Sequence, residues 1–197
     1  MGNNEEKMKL IIASNNKHKI SEIKSILTGK FEEILSLSEA GINHETIEDG
    51  ETFLENSLKK AREICAISGA VALADDSGLC VNALGGAPGV YSARYSGDGA
   101  TAESNNRLLL KNLEGISDRS AYFLCTVALV YPDGREVVAE GRVYGEIIDS
   151  YRGDHGFGYD PIFLVKGDSR TLAEMSDNEK NTISHRGEAL KSLLSQL

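Results

Sequence analysis

Apolar and polar positions fall into blocks of alternating period, and each block predicts an element. Met8–Ser14 is a short, nearly continuous apolar run, which reads as a buried strand. Asn15 and Asn16 then offer helix caps, and Ile20, Ile23 and Leu27 recur at helical spacing before Gly29. Glu33–Leu37 is a second short strand candidate. Thr52 and Glu55 have capping-box spacing; the helix they open carries Leu54, Leu58, Ala61 and Cys65 on one face and ends at Gly69. Val71–Ala74 is an apolar strand that runs into Asp75-Asp76-Ser77-Gly78.

Beyond it, Gly85 to Gly99 is rich in Gly and Ser and reads as loop. Glu103–Leu113 reads as a helix closed by Gly115. Ala121–Tyr131 and Glu136–Ile147 flank Pro132-Asp133-Gly134, the signature of a long antiparallel hairpin. Gly153–Tyr159 is a second glycine-rich loop and Pro161–Val165 a final strand. The terminal helix, Ser184–Leu197, has Ala189, Leu190, Leu193, Leu194 and Leu197 on its apolar face. Strand–helix alternation with a long hairpin places the chain in the α/β (mixed α+β) class, with a mixed sheet flanked by helices. Residues 1–7 read as a flexible polar segment and 8–197 as a single domain.

Composition narrows the partners. The chain has 197 residues, enough for a substantial core, and its 41% hydrophobic and 26% charged residues are those of a globular protein. A net charge of -9 argues against non-specific nucleic-acid binding, which needs a positive field, but leaves room for a small anion on local lysines and arginines. Cys65, Cys80 and Cys125 sit in apolar runs without CxxC spacing, which predicts buried thiols in a reducing cytoplasm rather than a disulfide frame or zinc site. No apolar stretch reaches the ~20 residues of a membrane span, and the N-terminal residues lack a signal-peptide apolar region.

Five segments could carry chemistry. Ser14-Asn15-Asn16-Lys17-His18-Lys19 lies between a strand end and a helix start, where outward N–H groups and two lysines suit a phosphate; a capped, solvated helix start is the other reading. Asp75 and Asp76 close an apolar strand, where a carboxylate pair needs a partner such as Mg²⁺; Asp76 could also activate water, and an ordinary Asp-Ser-Gly turn is equally compatible. Glu48, Asp49 and Glu51 form an acidic run that matters only if it folds back towards Asp76. In Gly156-Phe157-Gly158-Tyr159-Asp160 the glycines permit close backbone approach and an aromatic could stack on a base; core aromatics are the alternative. Lys180 with Ser184-His185-Arg186-Gly187 supplies donors at a helix start, as a solvated basic pair would.

Singly these motifs are weak, but their order is specific. Ser14–Lys19, Thr52-Phe-Leu-Glu-Asn-Ser57, Ala74-Asp-Asp-Ser-Gly-Leu79, Leu84–Gly97, Gly156-Phe-Gly-Tyr-Asp-Pro-Ile-Phe163 and Ile183-Ser-His-Arg-Gly-Glu-Ala-Leu190 together resemble the inosine/xanthosine triphosphate pyrophosphatases. The resemblance covers Met8 to Leu197. It implies an elongated mixed sheet with helices, in two lobes around an active-site cleft, a cytoplasmic homodimer, and hydrolysis of dITP, ITP or XTP to monophosphate and pyrophosphate with Mg²⁺. It assigns Asp76 as the catalytic acid and a metal ligand with Glu48. Ser14, Asn15, Asn16, Lys17, His18 and Lys19 become the triphosphate segment. Ser77, Phe157, Gly158, Tyr159, Asp160, Lys180, His185 and Arg186 become nucleotide contacts. Two other functions stay open: a non-hydrolytic nucleotide-binding regulator, and a pyrophosphatase for other modified nucleotides. The chain departs from the family at Gly153-Asp154-His155-Gly156, where relatives commonly have Gly-Thr-Gly-Gly, and at Asn15, where many have Gly.

Overall fold

The computed structural model describes residues 8–197; the expected flexible segment 1–7 lies outside the described residues. Six strands form one mixed sheet in the order β2-β1-β3-β4-β5-β6. The strands are β1 (Lys9–Ile12), β2 (Glu33–Ser36), β3 (Val71–Val81), β4 (Ser120–Val130), β5 (Glu136–Ile147) and β6 (Phe163–Val165). The helices are α1 (Lys17–Leu27), α2 (Phe53–Ser68), α3 (Ala102–Asn112), α4 (Asp177–Ile183) and α5 (His185–Leu194). β1 pairs in parallel with β2, Leu10 opposite Ile34, and with β3, Leu10 opposite Val71. β6 runs antiparallel to β5, Glu146 opposite Leu164. The chain divides into two compact units. Among the described residues the first holds those up to Asp76, Thr126–Glu140 and Ala189–Leu197; the second holds Ser77–Cys125 and Gly141–Glu188.

In the first unit, β1, β3 and the inner end of the β4–β5 hairpin pack Ile11, Ala13, Ala72, Ala74, Ala128 and Val130 against Ala61, Ile64 and Cys65 of α2. The Thr52–Glu55 capping box is formed, and Gly69, in the left-handed conformation, closes α2 on the Cys65 carbonyl. The helix is rotated from the expected stripe. Leu54 is 41% exposed, whereas Phe53, Asn56, Ser57 and Lys60 are buried with Ala61 and Ile64. Three polar side chains therefore face inward, each against a specific acceptor or donor; Ser57 Oγ donates to the Thr126 carbonyl of β4 at 2.9 Å. The Asp-Ser-Gly turn is not realised. β3 continues through Asp75–Gly78 to Val81 as a central strand with neighbours on both sides.

The second unit has its own core, in which Leu79, Leu109, Leu113, Phe123, Ile147, Ile162, Phe163 and Met175 meet. α3 and the Glu136–Ile147 strand stand within a residue or so of expectation. The Gly85–Gly99 segment is not plain loop: after a cis Ala87–Pro88 bond it winds into a 3₁₀ helix at Gly89–Arg94, and a shorter 3₁₀ turn, Asn82–Leu84, precedes it. α4 is an addition, opened by a Ser176–Glu179 capping box that hydrophobic periodicity does not reveal. Among the described residues no helix is long and apolar enough to cross a membrane. Cys65, Cys80 and Cys125 are all buried.

Candidate active site

The first unit builds its polar centre where the strand order reverses. β2, β1 and β3 are parallel, and the chain leaves β1 for β2 on one side and reaches β3 on the other. In open α/β sheets ligands bind beyond the carboxyl ends of strands at such a point. Here β1 gives way to Ser14–Lys19. Its ladder to β3 ends with Ala13 N–H donating to the Leu73 carbonyl at 2.8 Å. β3 runs on through Asp75 and Asp76, whose side chains leave the strand on opposite faces.

Both carboxylates are buried, at 2% and 7% exposure. Lys19 reaches back from α1 to place Nζ 2.9 Å from Asp75 Oδ2. Asn56 of α2 donates from Nδ2 to Asp76 Oδ2 at 2.9 Å, and its Oδ1 accepts from Gly50 N–H at 2.9 Å. A Cβ on residue 50 would lie 2.7 Å from that Oδ1, so the close approach requires glycine. Lys60, one turn further along α2, donates to Glu48 Oε1 and to the Asp75 backbone carbonyl, both at 2.7 Å. The acidic run thus folds back on α2, and Glu48 joins the centre.

Burial pushes the Asp76 carboxyl above its ordinary pKa. Lys60, the Asn56 hydrogen bond and Lys19 pull it down, while the Glu48 charge adds to the rise. Glu48 and Asp76 are therefore near enough to repel. Among the described residues no group of three or more acidic, His or Cys side chains has metal-holding geometry. A two-carboxylate oxygen set nevertheless fits Mg²⁺, which keeps waters and takes its remaining ligands from phosphate. The mutual repulsion of the pair is what a divalent cation would relieve.

The Ser14–Lys19 segment is arranged differently from a P-loop. Asn16 caps α1 by accepting the amides of His18 and Lys19 at 3.0 and 3.2 Å, and Ser14 Oγ accepts the Asn16 amide at 3.1 Å. Those N–H groups are engaged internally, so the positive charge comes mainly from ammonium groups. Asn15, Lys17 and His18 are exposed, and Lys19 is half-buried beside Asp75.

The second unit assembles another group. Asp160 Oδ2 accepts from Lys180 Nζ at 2.6 Å and from the Phe157 amide at 3.0 Å. Lys180 Nζ also lies 5.7 Å from the centroid of the Phe157 ring, which is half exposed. Gly156, at φ +80°, makes this possible: a Cβ there would fall 2.2 Å from Asp160 Oδ2 and 2.7 Å from Lys180 Nζ. Gly158 offers its carbonyl to Asn106 Nδ2 at 3.0 Å. Tyr159 is a core residue, 5% exposed, whose hydroxyl donates to the Ser92 carbonyl at 2.7 Å. Arg186, 3% exposed, donates from Nη2 to Ser77 Oγ at 3.2 Å. His185 stacks on Phe123 with ring centroids 5.1 Å apart.

The sequence profile described as the Ham1 family matches residues 10–196. The chain belongs to the Ham1 family. It is 49% identical over 197 residues to a dITP/XTP pyrophosphatase of Clostridium perfringens, covering 96% of this chain and 97% of the relative. It is also 49% identical over 191 residues to one of Geobacter sulfurreducens, with 96% of each covered. Among solved structures, a HAM1 protein from Coxiella burnetii superposes with a TM-score of 0.89 at 41% identity, covering 96% of this chain and all of that one. The Staphylococcus aureus Ham1 protein gives 0.88 at 40%, covering 95% and 97%.

Two buried polar side chains at the candidate site of this Ham1 chain escape a reading by pattern. Asn56 and Lys60 lie at helical spacing i, i+4 inside Thr52–Ser57 and its continuation, yet polar residues on a helix are scored as solvent-facing. Their burial next to a carboxylate pair marks them. At the departure from the family pattern, Asp154 and His155 are exposed, and the His155 amide donates to the Ala173 carbonyl at 3.0 Å.

Proposed function

We propose that this Ham1-family chain is a Mg²⁺-dependent pyrophosphohydrolase that converts dITP, ITP and XTP to the nucleoside monophosphate and pyrophosphate. The observation that carries the reading is Asp76, a buried carboxyl held by Asn56 on the central strand, with Glu48, Lys60 and Lys19 around it. The activity printed in the names of the two relatives at 49% identity supports the substrate class.

In this mechanism water attacks the α-phosphorus and pyrophosphate leaves. Asp76, its affinity for a proton raised by burial, orients the water and takes its proton. Glu48 and Asp76 would hold Mg²⁺, which when bound neutralises charge on phosphate oxygens. Lys19 and Lys60 face the leaving phosphates with fixed positive charge; such positioning and charge neutralisation carry most of the catalysis in phosphoryl chemistry. Phe157 presents a half-exposed ring on which the base stacks, and Lys180, beside it, contacts the nucleotide. Arg186 donates to the oxygen at purine position 6, which inosine and xanthosine have and adenine lacks. The resemblance supports a cytoplasmic homodimer, a state that light scattering measures directly.

The test is pyrophosphate release from a panel of ITP, dITP, XTP, ATP, GTP and pyrimidine triphosphates, with Mg²⁺ and with a chelator. Metal-dependent release confined to the three deaminated purines is expected. Tight binding without release would make the chain a nucleotide sensor, and a preference elsewhere in the panel would move the substrate.

A further inference from the structure

The acidic segment that carries Glu48 is fastened to α2 at successive positions along one helix face. Gly50 N–H is bound by Asn56, Asp49 Oδ1 by Lys59 at 2.6 Å, Glu48 by Lys60, and Thr46 and His44 by Glu63. Positions 56, 59, 60 and 63 follow the i, i+3, i+4, i+7 spacing of a single helical face. These fastenings differ in what they can do. The Glu48–Lys60 bond is the one that cation or phosphate binding would redistribute, since both residues belong to the proposed site. Asp49 and Lys59 are exposed on their side chains at 67% and 34%, and such surface pairs hold weakly. Asn56 secures the Gly50 end and touches Asp76 itself.

The other end is secured by Glu63. Its Oε2 accepts from Thr46 Oγ1 at 2.6 Å and pairs with His44 Nε2 at 2.7 Å. With the chain held at Thr46 and at Gly50, only residues 47–49 span the gap, and Glu48 is the middle one. Without Glu63 the next fixed point upstream is Ile42, whose amide donates to the Leu37 carbonyl at 2.8 Å. The span that must be ordered for Glu48 to face Asp76 then grows to residues 43–49. Ile47, 74% exposed, adds little burial to order it otherwise.

We propose that Glu63, through Thr46 and His44, is a positioning residue that presents Glu48 to the divalent cation. This rests on the reading of Glu48 and Asp76 as the cation's ligands. Glu63 stays ionised in this role, because the His44 and Thr46 hydrogen bonds, with a smaller contribution from Lys59, hold its carboxyl below the ordinary glutamate range. It lies about two helical turns beyond Asn56 and touches none of the reacting groups. Its effect is therefore on how well the cation is held, not on the chemical step.

The experiment compares wild type, Glu63→Ala, Glu63→Gln and Thr46→Val. Mn²⁺ binding to the nucleotide-free protein is read by electron paramagnetic resonance, backbone hydrogen exchange across residues 42–51 by mass spectrometry, and pyrophosphate release as a function of Mg²⁺. Loss of an outer partner of a metal ligand commonly weakens metal affinity about tenfold or more. Glu63→Ala is expected to raise the Mn²⁺ dissociation constant about tenfold. It should speed exchange in 42–51 while leaving the sheet unchanged, and recover wild-type kcat at saturating Mg²⁺. Glu63→Gln, which keeps an acceptor for Thr46, should fall between, as should Thr46→Val, which keeps the His44 contact. Unchanged Mn²⁺ affinity with unchanged loop exchange in Glu63→Ala overturns the proposal, as does faster exchange spread over the whole first unit, which marks a general stabilising role. If wild type binds no Mn²⁺, the ligand reading of Glu48 and Asp76 fails and the cation part of the proposal falls with it. Metal-dependent turnover in wild type with Glu63→Ala indistinguishable from it rejects Glu63 alone.

Discussion

The two polar centres treat charge in opposite ways. Around Asp76 the first unit gathers Glu48, Asp75 and Asp76 against Lys19 and Lys60, and the carboxylates outnumber the ammonium groups. In the second unit Asp160 is matched one for one by Lys180. A surplus of buried negative charge is costly and suits a site that receives a cation. A balanced ion pair carries no such surplus. The contrast teaches that, on the proposed function, phosphate chemistry and base recognition would pose separate charge problems, one to each centre.

The sharpest way to break the contrast is to neutralise the first centre. Asp76→Asn should lower turnover by roughly 10²–10⁴-fold, the span of a lost general base. The same change should raise the melting temperature of the metal-free protein. Because the folded-state pKa of Asp76 is raised, the folded protein keeps this proton after the unfolded chain has lost it. Stability therefore falls as pH climbs from the ordinary aspartate value through the raised one. Calorimetry of wild type and variant at pH 7 reads the sign; a lower melting temperature in the variant would mean the charge is stabilised where it sits.

In the second centre, Arg186→Gln removes the guanidinium but keeps a long polar side chain. The ratio of kcat/KM for ITP over ATP should fall about 10–100-fold, the cost of one mispaired buried contact. An unchanged ratio removes Arg186 from base reading. Back in the first centre, Lys19→Met takes the ammonium group away from a buried carboxylate. Losing one partner of such a pair costs about 3 kcal/mol at the low end of its range, or roughly 6–12 °C in melting temperature for a chain of this size. A shift under a degree would show that Asp75 does not depend on Lys19. The smallest effect is expected at Gly156→Ala, which strains a positive φ and crowds Asp160 and Lys180. There KM should rise several-fold with kcat nearly constant, as befits a binding contact.

Much of the frame was legible because it rests on periodicity and caps. β1, α1 and the hairpin follow from apolar spacing and turn residues, and Thr52–Glu55 marks the start of α2 directly. Periodicity failed wherever the buried side chain is polar. It placed Leu54 inside and overlooked Asn56 and Lys60. It also ended β3 at Ala74, because two aspartates do not look like strand interior. The reason is the same in both cases: an inward polar group is stabilised by one named partner, and a partner distant in sequence leaves no periodic trace. Ser77 and Arg186 are 109 residues apart, and the Arg186 guanidinium donates to the Ser77 hydroxyl. α4 was missed for another reason: its only announcement is the Ser176–Glu179 box, with no buried residue behind it.

The Asn56 amide has one further effect. An amide can be turned end for end without changing its shape, but here a backbone N–H, that of Gly50, occupies the oxygen end. The nitrogen end must then point at Asp76 Oδ2, which is held as an acceptor. Which end of the amide meets the carboxylate is decided by a glycine 26 residues earlier in the chain, which reaches Asp76 through the amide between them.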